Sequence, residues 1–109
     1  MDPLHTIIDG CIRNNQKEQK RLYERYYGYC LKISFRYIYR YDKAVDVVND
    51  GFVKIFRSFS KFQSAPHQNV EMMLMGWMRT IIINTAIDQL RKNSFLPEIG
   101  ELGENIWIN

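Results

Sequence analysis

The chain has 109 residues, a net charge of +3, 46% hydrophobic residues and 14% aromatic residues, enough for one domain with a buried core. No apolar run approaches the roughly 20 residues needed to cross a bilayer, and the N-terminal MDPLHTIIDGCIRNN, with early acids and a broken apolar segment, is not a secretory signal. Cys11 and Cys30 have neither a second pair nor clustered histidines beside them. That argues against a zinc site and reads instead as two buried free thiols in a reducing, cytoplasmic compartment.

Pro3 and Leu4 open a short helix to about Arg13, with Leu4, Ile7, Ile8, Cys11 and Ile12 as its apolar stripe. Asn14 and Asn15 interrupt it. Asn15 followed three residues later by Glu18 has the form of a capping box. A long helix then runs to about Tyr39, with Leu22, Tyr26, Cys30, Ile33 and Tyr37 on the buried side and a strongly basic remainder. Seven tyrosines fall within residues 23–41; they either line helix–helix seams with hydroxyls at the edge or form a stacking platform for bases.

Asp42 is the expected N-cap of a third helix, to about Ser60, whose stripe is Val45, Val48, Phe52, Ile55, Phe56 and Phe59. Asp46, Asn49, Asp50 and Lys54 face elsewhere. Gly51 lies mid-helix at a cost of about 1 kcal/mol relative to alanine, as close approach by a neighbour or a position under little selection would allow. Residues 61–73 read as a loop, since Ser64, Pro66, Gln68 and Asn69 break every period, and the lone His67 in it reads as solvated. Residues 76–93, GWMRTIIINTAIDQLRKN, form the helix on which the rest is organised. Met78, Ile81, Ile82, Thr85, Ala86 and Leu90 make its apolar stripe; Trp77, Thr80, Asn84, Asp88 and Arg91 make a second face suited to contact.

After Asn93 the periodicity ends, with Pro97, Gly100 and Gly103 opposing a continuous helix. Residues 1–93 carry fifteen bases against nine acids, a net of +6, and residues 94–109 carry three acids and no base. The organisation is therefore a basic helical domain over 1–93 and an acidic linker or tail over 94–109. The fold class is all-α, a compact bundle of three main helices plus a short N-terminal one. A basic body favours polyanionic partners. No catalytic constellation is visible: there is no phosphate loop, nucleophile elbow or histidine pair. No metal or cofactor is required.

Three motifs occur in register. Asp46, Val47, Val48, Asn49, Asp50 and Phe52, then Phe56 and Arg57, are followed by Trp77, Met78, Asn84 and the run Ala86, Ile87, Asp88, Leu90, Arg91, and both are preceded by LYERYYGYCLKISFRYI. The chain in this respect resembles region 2 of bacterial RNA polymerase sigma factors of the extracytoplasmic-function group, over about residues 4–93. Asn49 stands where that pattern has glutamine. The second, helix-turn-helix domain that reads the −35 element in such factors has no counterpart in the sequence, so a truncated form is expected.

The resemblance implies a non-enzymatic sigma domain that docks on the clamp helices of the largest subunit of core RNA polymerase and recognises and melts the −10 promoter element. Asp46, Asn49, Asp50 and Arg57 would form the polymerase contact, the first three accepting hydrogen bonds from a basic coiled coil. Trp77, Arg79, Thr80, Asn84, Arg91 and Lys92 would bind the single-stranded non-template −10 segment. Asn84 would hold a flipped base with Thr80 one turn away, and the cations would hold phosphates. Trp77 either supports that pocket or is a half-buried core residue. Asp88 is expected to pair with an arginine of the long helix. An anti-sigma factor is a possible further partner. The alternative is a helical adaptor module without DNA binding.

Overall fold

The computed structural model describes residues 3–64 and 68–92. Within them the chain forms α1 (Pro3–Ile12), α2 (Gln16–Phe35), α3 (Tyr41–Arg57), a single 3-10 turn (Phe59–Lys61) and α4 (Val70–Lys92), with no strand among the described residues. The expected all-helical bundle of three main helices and a short one is what forms. The expected acidic tail, 94–109, and His67 lie outside the described residues.

α1 ends where Asn14 adopts φ 61°, a left-handed conformation that asparagine tolerates. The Asn15 side chain then caps α2, accepting from the backbone N–H groups of Lys17 and Glu18. Only half of the expected box is made. The Asn15 N–H donates to the Gly10 carbonyl at 2.8 Å, and the Glu18 carboxylate turns to Arg21 at 3.3 Å. A side chain at Gly10 would overlap Glu18, so glycine here lets α1 lie close against α2.

α2 stops at Phe35, short of the expected Tyr39. The Arg36, Tyr37 and Ile38 N–H groups close onto Ile33 and Ser34 carbonyls, which turns the chain and buries Ile38. The buried Ser34 hydroxyl donates to the Ala44 carbonyl at 3.0 Å and fastens α3 to this turn. Asp42 is not the N-cap of α3. Arg40 occupies that position in extended conformation without a side-chain cap bond, and Asp42 sits inside the first turn, ion-paired to Arg40 at 3.7 Å. An acid there is favoured by the helix dipole. α3 ends at Arg57 rather than Ser60, because the 3-10 turn folds Phe59 and then Phe62 inward.

α4 begins six residues earlier than expected, at Val70. Asn69, read as a helix breaker, behaves as a cap: its Oδ1 accepts from the Met72 N–H at 3.1 Å. Val70–Met73 therefore belong to α4 and not to a loop. Met78, Ile82, Thr85 and Ala86 of the expected stripe are buried, joined by Leu74, while Ile81 and Leu90 lie at the edge. The core combines Leu22, Tyr26, Cys30 and Ile33 of α2, Val47, Val48, Phe52 and Ile55 of α3, and the α4 stripe. Both cysteines are buried free thiols, and burial pushes each thiol up to about 12, with the Glu18 charge adding to the shift at Cys11. As thiols they are inert.

The helix seams are polar at their rims. Across α2 and α4, Arg25 and the Tyr26 hydroxyl both reach Glu71 Oε2, at 2.9 and 2.7 Å, and the Tyr29 hydroxyl donates to the Met75 carbonyl. Across α3 and α4 the approach is closest at Gly51, where a Cβ would overlap Ile82 Cδ1. Of the two accounts of Gly51, close approach is the one that holds. No described helix is long and apolar enough to cross a membrane.

Candidate functional site

Two solvent-facing stripes stand on adjacent helices. The first is the outer face of α3. Asp42, Asp46, Asn49, Asp50, Val53 and Arg57 recur at three- and four-residue steps and are all exposed. The expected polymerase-contact set, Asp46, Asn49, Asp50 and Arg57, is thus brought onto one face, and Val53, 48% exposed, adds an apolar centre to it.

Neighbouring helices hold two of these side chains in place. The Tyr23 hydroxyl on α2 donates to Asn49 Oδ1 at 2.9 Å, and Gln89 Nε2 on α4 donates to Asp50 Oδ2 at 2.9 Å. Both contacts tie one lone pair of the acceptor and leave the rest of the group pointing outward. Asn49 then offers its amide N–H donors, whereas Asp46 and Asp50 offer carboxylate acceptors. Tyr23, Gln89 and Val53 were missed by sequence reasoning. Their pairing is between helices, and the one available signal was that Val53 falls on the exposed step of α3.

The second stripe is on α4. Thr80, Asn84 and Arg91 are exposed and follow Trp77 along one side. Trp77 is half-buried, wedged against Phe59 and Phe62 with ring centroids 5.3 Å away in each case. It is a core wedge with one exposed edge, so it joins α4 to the 3-10 turn. Thr80 spends its proton on the Gly76 carbonyl of its own helix at 3.1 Å and keeps its oxygen as an acceptor. The Asn84 side chain makes no hydrogen bond with the described residues.

The remaining two expected DNA contacts leave this stripe on opposite sides. The charge of the exposed Arg79 opposes the upward shift that burial gives the Tyr29 hydroxyl of α2. Lys92 lines a groove of about 330 Å³ between α3 and α4 together with Asp50, Val53, Lys54, Arg57, Thr85, Asp88 and Gln89. Asp88 does not pair with an arginine of α2. Its partner is Lys54 of α3, at 3.7 Å, because the Asp88 side of α4 faces α3.

Among the described residues no group of acids, histidines and cysteines could hold a metal ion. Residues 22–95 match the family model described as Sigma-70 region 2. No curated protein and no solved structure matches the chain at a significant level. The chain belongs to the sigma-70 region 2 family. It is a non-enzymatic transcription factor domain, of the kind that binds core RNA polymerase and the −10 promoter element to start transcription, and this decides against an adaptor that never touches DNA.

Proposed function

We propose that the two stripes divide the work of the domain as an extracytoplasmic-function sigma factor would. The α3 face, Asp46, Asn49, Asp50, Val53 and Arg57, docks on the clamp helices of the largest polymerase subunit. The α4 face, Trp77, Thr80, Asn84 and Arg91, holds the melted non-template −10 strand, with Arg79 and Lys92 touching phosphates on either flank.

The observation that carries this reading is that the acids and the nucleic-acid residues occupy separate helices fixed together at Gly51–Ile82 and Asp50–Gln89. A carboxylate face repels phosphate and attracts a basic coiled coil; an amide, a hydroxyl and an arginine suit a base edge and its backbone. Melting requires unstacking, at a cost of a few kcal/mol, and strand contacts worth about 1–3 kcal/mol for each stacked base offset it. Trp77 supports the strand site through its exposed edge while its other side keeps the 3-10 turn in place.

In this reading residues 1–93 are the working domain, 94–109 form a linker or tail, the setting is cytoplasmic, and an anti-sigma factor would act by covering the α3 face. The test is titration of fluorescent −10-like single strands and matched duplex at several salt concentrations. Wild type is expected to prefer the single strand, with affinity falling steeply as salt rises. Asn84→Ala is expected to lose most of that preference. Equal affinity for strand and duplex, unchanged by Asn84→Ala, overturns the assignment of the α4 face.

A further inference from the structure

The seven tyrosines do not all serve the core. Tyr26 is buried, whereas Tyr23 and Tyr27 are half-buried and Tyr41 is 62% exposed. Tyr23 and Tyr27 meet along α2 at a 50° tilt with centroids 5.1 Å apart, and Tyr23 meets Phe52 of α3 edge-on at 4.8 Å. Tyr41, the first residue of α3, lies 5.8 Å from the Phe35 ring. Burial raises the Tyr27 hydroxyl above the usual tyrosine range, with the Tyr23 and Tyr41 hydroxyls adding to the shift. Tyr23 and Tyr27 lie on the α2 flank of the α3 face, joined to it by the Tyr23–Asn49 hydrogen bond, and the exposed Tyr41 opens α3 beside Phe35.

The charges beside this row select its partner. Asp42 is answered by Arg40, but neither Asp46 nor Asp50 is ion-paired with a cation of the described residues. Carboxylates without a cation, on the face that the Tyr23–Asn49 bond joins to these rings, disfavour a phosphate backbone. They suit the guanidinium group, which pairs with carboxylates through its fork and stacks on aromatic faces.

We propose that Tyr23, Tyr27 and Tyr41 form the second half of the docking face, receiving arginine side chains of the same basic helical partner that meets Asp46 and Asp50. The inference rests on the polymerase-docking reading of α3 and extends it to α2. The partner lies across both helices, with acids under one edge and rings under the other.

The test is binding of the clamp-helix fragment to wild type, Asp50→Arg, Tyr27→Leu/Tyr41→Leu and Tyr27→Phe/Tyr41→Phe, with thermal unfolding and −10 single-strand binding measured on each. Leucine keeps apolar area and removes the ring; phenylalanine keeps the ring and removes the hydroxyl. The leucine pair is expected to weaken clamp-helix binding about three- to tenfold and the phenylalanine pair about twofold or less, as for exposed cation–ring contacts. Single-strand binding is expected to stay at the wild-type level. If Asp50→Arg abolishes binding while the folded leucine pair binds as wild type, the tyrosine row is no part of the interface. If the leucine pair loses the single strand and keeps the clamp helices, the row serves nucleic acid and the proposal is wrong. If folded wild type does not bind the fragment at all, the docking reading and this extension fall together.

Discussion

Ile82 of α4 rests directly on Gly51 of α3, filling the space that any side chain at position 51 would need. A glycine in mid-helix costs about 1 kcal/mol against alanine, so Gly51→Ala would stabilise an isolated α3. In the bundle Ile82 is fully buried, and a Cβ at position 51 would overlap its terminal Cδ1, which must turn into packed surroundings. Overpacking of this sort costs about 1–3 kcal/mol. Gly51→Ala is therefore expected to lower the midpoint of urea unfolding, Gly51→Val to lower it further, and Gly51→Ala combined with Ile82→Val to recover part of the loss. Stabilisation by Gly51→Ala alone would mean that the Ile82 methyl turns aside without cost and that overpacking does not operate there.

Gln89 and Asp50 test how far α4 tunes the α3 face. Their hydrogen bond lies at the surface, and a bond of this kind contributes about 0.5–1.5 kcal/mol to stability. Gln89→Leu is expected to leave the fold nearly unchanged and to weaken polymerase binding severalfold, because Asp50 is no longer held. In the Asp50→Ala background the same change is expected to do nothing further. Equal effects of Gln89→Leu in both backgrounds would show that Gln89 acts independently of Asp50.

Trp77 and Asn84 share a stripe but differ in what supports them. Trp77→Ala removes the wedge between Phe59 and Phe62 and is expected to cost about 2–3 kcal/mol, somewhat below the loss for a fully buried tryptophan. Asn84→Ala alters an exposed residue and is expected to shift stability by less than about 0.5 kcal/mol. Chemical denaturation separates the two. Any loss of strand binding by Asn84→Ala then reports on contact, whereas for Trp77→Ala the lost fold must be subtracted first.

The buried thiols predict alkaline sensitivity. In the folded chain Cys11 and Cys30 hold their protons up to about 12, from an ordinary value of 9.0. A folded value above the unfolded one favours the native state most fully below the unfolded value, and that contribution is lost as pH climbs through the folded value. Urea midpoints are expected to fall progressively between pH 9 and 12. Tyr26, raised by burial and then by its bond to Glu71, pulls the same way at the upper end. Cys30→Ala is expected to flatten the decline. A profile independent of pH across this window would place the thiols in contact with solvent.

Helix number and burial were legible because Leu22, Tyr26, Cys30 and Ile33, and likewise Met78, Ile82 and Ala86, repeat at helical spacing and all prove buried. Ends were less legible. Asn69 looks like a breaker and is a cap, since a single asparagine serves either role until the next turn declares itself. Asp42 has the composition of a cap but stands two residues too far along, since Arg40 is the cap and the Ser34–Ala44 bond fastens the start of α3. Asp46, Asn49, Asp50 and Arg57 could be placed on one face from spacing alone. Their partners could not, since Tyr23–Asn49, Gln89–Asp50 and Lys54–Asp88 each join residues more than twenty positions apart.

Binding of the polymerase clamp-helix fragment to wild type and Asp50→Arg, with Asn84→Ala as the internal control, tests most directly whether α3 is the docking surface. Wild type and Asn84→Ala are expected to bind alike, and Asp50→Arg to lose binding by at least tenfold while remaining folded, as expected for charge reversal at a complementary interface. Undiminished binding by Asp50→Arg, or a loss confined to Asn84→Ala, would contradict the division of labour between the two helices.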